Sequence, residues 1–214
     1  MTATFEVAGE SFAIVGQLHC DSCVESYDTR QAEHSRTVHA KDRPNWSEIC
    51  PPAYQQFDRR KLPPDASAIA DRVLGWQPGP KGIGLMGESR KGKTFLLYEL
   101  FRRWYEHGAS VCITSGTEFA WACGSIDQHD RRELMTRMIK ADMLFIDDLG
   151  KEKMTDRVEA DLYHVIEQRR RFQRPVFVTV NSGGDALAGK MSADGGIPIV
   201  NRLREDVCEF IRVG

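Results

Sequence analysis

Gly87-Glu88-Ser89-Arg90-Lys91-Gly92-Lys93-Thr94 satisfies the spacing G-x-x-x-x-G-K-[ST]. That spacing suits phosphate binding, because the N–H groups of a glycine-rich turn and a helix N-terminus can surround an anion. In such a site Lys93 reaches the β- and γ-phosphates and Thr94 ligates Mg²⁺. Arg90 and Lys91 stand where small residues are common, so the loop must close with fewer glycines.

The complementary chemistry lies about fifty residues on, in Met143-Leu144-Phe145-Ile146-Asp147-Asp148-Leu149-Gly150. An apolar strand ending in two carboxylates presents them where ligands of open α/β sheets bind. Asp147 is expected to hold Mg²⁺, mainly through water, and Asp148 to polarise an attacking water. Val176–Val180 ends at Asn181, an amide placed to position that water. Near the C-terminal end, Asn201-Arg202-Leu203-Arg204-Glu205 offers Arg202, either as a charge donor to a neighbouring subunit's γ-phosphate or as a surface ion pair with an acid such as Asp206.

A second cluster is sulfur-based. Cys20-x-x-Cys23 has knuckle-type ligand spacing and Cys50 offers a third thiolate, with His34 or His39 as the fourth zinc ligand. The competing reading is three incidental reduced thiols, since Ala53 breaks a second Cys-x-x-Cys. Cys112, Cys123 and Cys208 lie in apolar stretches and read as core.

The elements that must carry these residues follow from periodicity. Ile83–Met86, Val111–Thr114, Met143–Ile146, Pro175–Val180 and Val207–Val213 read as strands. Helices are expected over Ala66–Trp76, around Leu97, Leu100, Phe101 and Trp104, over most of Glu118–Lys140, around Val158, Leu162, Val165 and Ile166, and near Asn201–Glu205. Strands that are almost wholly apolar and alternate with helices predict an α/β fold, a parallel sheet covered on both faces. The organisation expected is a small N-terminal adaptor over residues 1–50, zinc-stapled because it has too little apolar material for its own core, then a Pro-bracketed linker over 51–64 and an ATPase domain over 65–214.

The order of phosphate loop, LFIDDLG, a strand ending in Asn and NRLRED before a last strand resembles the AAA+ ATPases of the DnaC helicase-loader and IstB transposition-helper group. The resemblance covers about residues 65–214. It implies a five-stranded P-loop sheet flanked by helices without a C-terminal lid, ATP and Mg²⁺ at subunit interfaces of a self-assembled oligomer, Asn181 as sensor 1 and Arg202 as arginine finger. It implies ATP hydrolysis in DNA replication, as a helicase-loader-like factor working on a replicative helicase; the alternative is a transposition helper working with a transposase. Further rivals are a protein-remodelling switch without direct DNA contact, a non-catalytic binding module, and a small-molecule kinase, although no acceptor pocket or lid is recognisable for the last.

Charge narrows the partners. The net charge is −2 over 214 residues, and residues 65–214 carry 22 basic and 22 acidic residues, so bulk charge does not attract nucleic acid. Single-stranded DNA contact would rest on local groups: Phe119 and Trp121 near Arg131, Arg132, Arg137 and Lys140, or the run Arg169-Arg170-Arg171 with Arg174. No apolar run approaches the roughly 18 residues of a membrane span, and no Lys or Arg precedes Arg30, so a cytoplasmic protein with no membrane partner is expected.

Overall fold

The structure, a computed structural model, describes the backbone at residues 2–7 and 10–15 and the full residues 44–125, 127–181, 187, 189, 191–192 and 196–214. It forms two compact units, residues 1–43 and residues 44–214. In the first, β1 (Thr2–Val7) pairs antiparallel with β2 (Glu10–Val15), from Thr2 opposite Val15 to Val7 opposite Glu10. Cys20, Cys23, His34 and His39 fall outside the described residues.

The second unit is built on five parallel strands, β3 (Gly82–Met86), β4 (Val111–Ser115), β5 (Met143–Asp147), β6 (Val176–Val180) and β7 (Cys208–Arg212), in the spatial order β4-β5-β6-β3-β7. The expected parallel five-stranded sheet is therefore present. Around it lie α1 (Trp46–Ile49), α2 (Pro64–Leu74), α3 (Lys93–Glu106), α4 (Gly116–Gly124), α5 (Gln128–Lys140), α6 (Asp156–Arg171) and α7 (Gly196–Arg202). The helical stretch expected over Glu118–Lys140 is two helices. Ser115 and Glu118 form a capping box on α4, and Asp127 caps α5 by accepting from the His129 N–H.

Alternation along the strands divides the core. Met143, Phe145 and Phe177 face α2 and α3, whereas Leu144, Ile146, Val176 and Val178 face the cluster with Phe119, Leu162 and Val165. The order in which strands are added switches sides at β3, with β4, β5 and β6 on one side and β7 on the other, and such a switch point opens a crevice at the carboxyl ends where ligands of these sheets bind.

Residues 51–64, expected as a linker, pack against this core instead. Tyr54 stacks on Tyr98 with centroids 4.7 Å apart, and Phe57 stacks on Phe95 at 5.5 Å. Trp46 and Leu62 join the same apolar cluster, so the prolines shape a strap whose aromatic side chains are anchored. Among the described residues no helix is long and apolar enough to cross a membrane.

Candidate functional site

The phosphate loop runs from the end of β3 into the first turn of α3. Its two glycines are required by geometry. Gly87 has φ 150° and a Cβ there would meet the Val213 carbonyl oxygen at 2.2 Å; Gly92 has φ 80° and a Cβ there would meet Ala66 at 2.9 Å. Arg90 takes a left-handed φ of 65°, an uncommon conformation for a residue with a Cβ. Lys91 pairs with Asp65 at the start of α2 at 2.8 Å, so this cation braces the loop from outside.

Lys93 is 4% exposed and points back into the loop. Its Nζ donates to the carbonyls of Gly87 (2.8 Å) and Glu88 (2.6 Å) and to Oδ1 of Asn181 (3.0 Å). Burial lowers its pKa below the usual lysine value, opposed by Asp148 and Asp147. Thr94 donates to Oδ1 of Asp147 at 2.8 Å. Burial raises the Asp147 pKa, against the hydrogen bonds from Thr179 and Thr94.

Asp148 adopts φ 55°, a conformation Asp tolerates better than most residues. Its Oδ1 accepts from Nδ2 of Asn181 at 3.0 Å and its Oδ2 from Nζ of Lys151 at 2.5 Å. Lys93, Asn181 and Asp148 thus form one hydrogen-bonded chain and Thr94 and Asp147 another, delivered by α3 and the ends of β5 and β6. The residues present fit a magnesium nucleotide. A buried ammonium and a glycine-hinged turn suit the phosphates, and a hydroxyl converging with a carboxylate suits a hard cation.

Two residues of this neighbourhood carry no motif. Thr179 lies in β6 with its hydroxyl between Asp147 and the backbone of Asp148. Tyr54, stacked on Tyr98, has its pKa raised by burial and then by the charges of Asp147 and Asp148. The aromatic content of residues 46–57 was the available signal for Tyr54; for Thr179 there was none.

Arg202 stands apart from the loop. Its Nε donates to Glu167 at 3.0 Å and its guanidinium lies 4.6 Å from the centre of the Tyr163 ring. Glu167 also accepts from Arg170, and these hydrogen bonds bring its carboxyl down to about 2. The acid beside Arg202 is therefore Glu167; Asp206 lies near Arg170 at 3.8 Å.

The groups expected to meet DNA separate. Phe119 is fully buried and cannot stack on a base, whereas Trp121 is 75% exposed. Trp121 lines a cavity of about 270 Å³ with Thr117, Lys153, Arg157 and Val158. Arg131 is held bidentately by Asp161, and Arg132 and Arg137 are exposed. In the other basic run, Arg169 is fully buried and donates to the carbonyls of Met138 (2.7 Å), Ala141 (2.8 Å), Asp142 (3.1 Å) and Pro175 (2.6 Å). Arg174 caps α5 through the Ile139 and Lys140 carbonyls, and Arg170 pairs with Glu167. Arg169 and Arg174 are structural ties, whereas Arg170 and Arg171 are exposed.

Cys50, expected as a zinc thiolate, is 1% exposed in the core with its Sγ against the Pro51 carbonyl, and burial pushes its thiol up to about 11. Among the described residues no three His, Cys, Asp or Glu side chains gather as a metal cluster.

No protein-family model and no curated protein matches this chain. Among solved structures it is similar to DnaI, with a TM-score of 0.61 and 23% identity over 75% of this chain and 87% of that one. It is similar to the DnaC helicase loader, with a TM-score of 0.58 and 17% identity over 79% of this chain and 96% of that one. It is also similar to AMPPCP-bound DnaA from Aquifex aeolicus, with a TM-score of 0.56 and 19% identity over 69% of this chain and 45% of that one. At these identities what is shared is the fold. The 44–214 unit shares with these proteins a five-stranded parallel sheet flanked by helices.

Proposed function

We propose that this chain is an ATP-hydrolysing AAA+ protein that acts in DNA replication as a helicase-loader-like factor. The observation that carries the reading is the convergence of Lys93, Thr94, Asp147, Asp148 and Asn181 at the carboxyl edge of one parallel sheet. Phosphoryl transfer needs a phosphate clamp, a metal carboxylate and a water-orienting group together, and in this reading Lys93, Asp147 and the Asn181–Asp148 pair supply them.

In this reading Lys93 and the loop N–H groups from Gly87 to Thr94 hold the triphosphate, and Thr94 and Asp147 would hold a Mg²⁺ ion, which would supply charge neutralisation to the phosphates. Asn181 and Asp148 position a water. The water oxygen bonds to the γ-phosphorus, the bond to the β,γ-bridging oxygen breaks to release ADP and phosphate, and the water proton passes to the Asp148 carboxylate. Arg202 acts in an adjoining copy, so turnover requires self-assembly.

Single-stranded DNA is the nucleic-acid partner, met at Trp121. A structure of DnaA bound to AMPPCP and single-stranded DNA shares the fold, with a TM-score of 0.59 and 17% identity over 77% of this chain and 51% of that one. The deciding experiment is phosphate release from Mg-ATP by the purified protein, paired with affinity capture from the source cell. Turnover with recovery of a replicative helicase supports the role. Recovery of a transposase moves the same core to transposition, and absence of turnover with single-stranded DNA present removes the enzyme reading.

A further inference from the structure

The hydroxyl of Thr179 makes two bonds of opposite sense. It donates to Oδ1 of Asp147 at 2.5 Å and accepts from the backbone N–H of Asp148 at 2.7 Å. Its own carbonyl accepts from the Leu149 N–H at 2.9 Å. One residue of β6 therefore holds three consecutive residues at the end of β5. The pairing of Ile146 with Val178 brings it there.

Asp148 is the residue most in need of such a hold. A φ of 55° is sparsely populated for a residue with a Cβ, and it persists only where neighbours over-determine it. The turn aims the Asp148 carboxylate at Asn181 and Lys151. Without the Thr179 acceptor, the Asp148 N–H would lose its partner in a half-buried place, and the backbone could relax to an extended or right-handed conformation that points the carboxylate elsewhere. The same hydroxyl and the Thr94 hydroxyl share one oxygen of Asp147, so the two acids are fixed relative to one another through a single atom.

We infer that Thr179 is a positioning residue for hydrolysis, its hydroxyl locking the left-handed turn at Asp148 while orienting Asp147. This inference rests on the ATPase reading. It predicts a defect in turnover more than in nucleotide capture, because Lys93 and the loop N–H groups do not touch Thr179. A purely structural threonine would be replaced equally well by isosteric valine; here valine supplies neither the donor nor the acceptor.

The test compares wild type with Thr179→Val, Thr179→Ala and Thr179→Ser in the full chain. Two readouts are taken: steady-state ATP hydrolysis with a fluorescent ATP analogue for binding, and amide exchange of the peptide covering residues 147–150 without nucleotide. Expected are a kcat at least tenfold lower in the valine and alanine variants with analogue affinity within about threefold, serine within about threefold of wild type, and faster exchange in valine and alanine only. Wild-type kcat in the valine or alanine variant overturns the inference, as does a serine variant as impaired as alanine. Should valine not fold, the alanine–serine pair decides. If wild type itself does not hydrolyse ATP, the ATPase reading fails and the exchange comparison still decides the clamp, equal rates in alanine and serine overturning it.

Discussion

Asn181 joins Lys93 to Asp148: its Oδ1 accepts from the lysine at 3.0 Å while its Nδ2 donates to the aspartate at 3.0 Å. One amide thus joins the residue proposed to hold phosphate to the one proposed to polarise water. Separating those two roles is the first prediction. Lys93→Ala is expected to weaken ATP binding by about a hundredfold or more, since charge-assisted hydrogen bonds contribute ~1.5–3 kcal/mol each. Asp148→Asn should bind normally and lose roughly 10²–10⁴ in kcat. Equal hydrolysis by Asp148→Asn and wild type would remove the base assignment.

Arg202 is held by Glu167 and Tyr163 within its own chain, its side chain 29% exposed. Arg202→Ala should lower ATPase roughly 10³-fold if it serves a neighbour's γ-phosphate. A mixture with Lys93→Ala subunits should recover part of the rate, each variant supplying what the other lacks. A wild-type rate strictly proportional to concentration down to nanomolar protein, with a monomer mass in ATP, counts against the arrangement.

Arg169 joins the carbonyl end of α5 to the starts of β5 and β6, and burial lowers its pKa to about 9. Arg169→Leu would strand several buried carbonyls and is expected to cost about 3–5 kcal/mol. At about 2–4 °C per kcal/mol for a unit of this size, the melting temperature should fall by roughly 6–20 °C in calorimetry. Arg169→Lys should not rescue it, because a point charge cannot span four acceptors. A melting temperature within 2 °C of wild type would contradict the tie.

Single-strand binding should depend on Trp121, with each stacked base contributing roughly 1–3 kcal/mol. Trp121→Ala is expected to weaken anisotropy-detected binding of a labelled single strand about tenfold or more in the presence of a non-hydrolysable ATP analogue. Lys153→Ala with Arg157→Ala should flatten its salt dependence. Arg131→Ala should act differently, lowering the melting temperature by leaving the buried Asp161 without its partner. Undiminished binding by Trp121→Ala would move the DNA contact elsewhere.

The phosphate loop and the Asp147–Asp148 pair were legible because their chemistry is written in contiguous residues whose flanking strand and helix are strongly periodic. The facing of the basic run was not read for Arg169, because local charge says nothing about facing. Yet Leu162, Val165, Ile166 and Arg169 follow the i, i+3, i+4, i+7 spacing of one helix face, and that spacing carries Arg169 into the core. The same logic separates Phe119, in register with Gly116 and Cys123, from Trp121 on the opposite side of α4. The strap over residues 51–64 was obscured by its prolines, whose stiffness does not preclude anchoring by Tyr54 and Phe57. Thr179 was illegible in principle, since a threonine in a strand is ordinary and its partners come from another strand, over thirty residues earlier in sequence.

The placement of β3 between β6 and β7 also has a temporal side. Both neighbours are synthesised long after β3, and the Val213 N–H that bonds to Met86, beside the backbone packed on Gly87, comes roughly 130 residues later. A nascent chain therefore carries its phosphate loop for most of its synthesis without the strands that shape it. On the proposed ATPase reading, competence to take up nucleotide is acquired only after β7 has been translated and docked, and a ribosome-stalled chain ending before Cys208 is expected not to engage ATP.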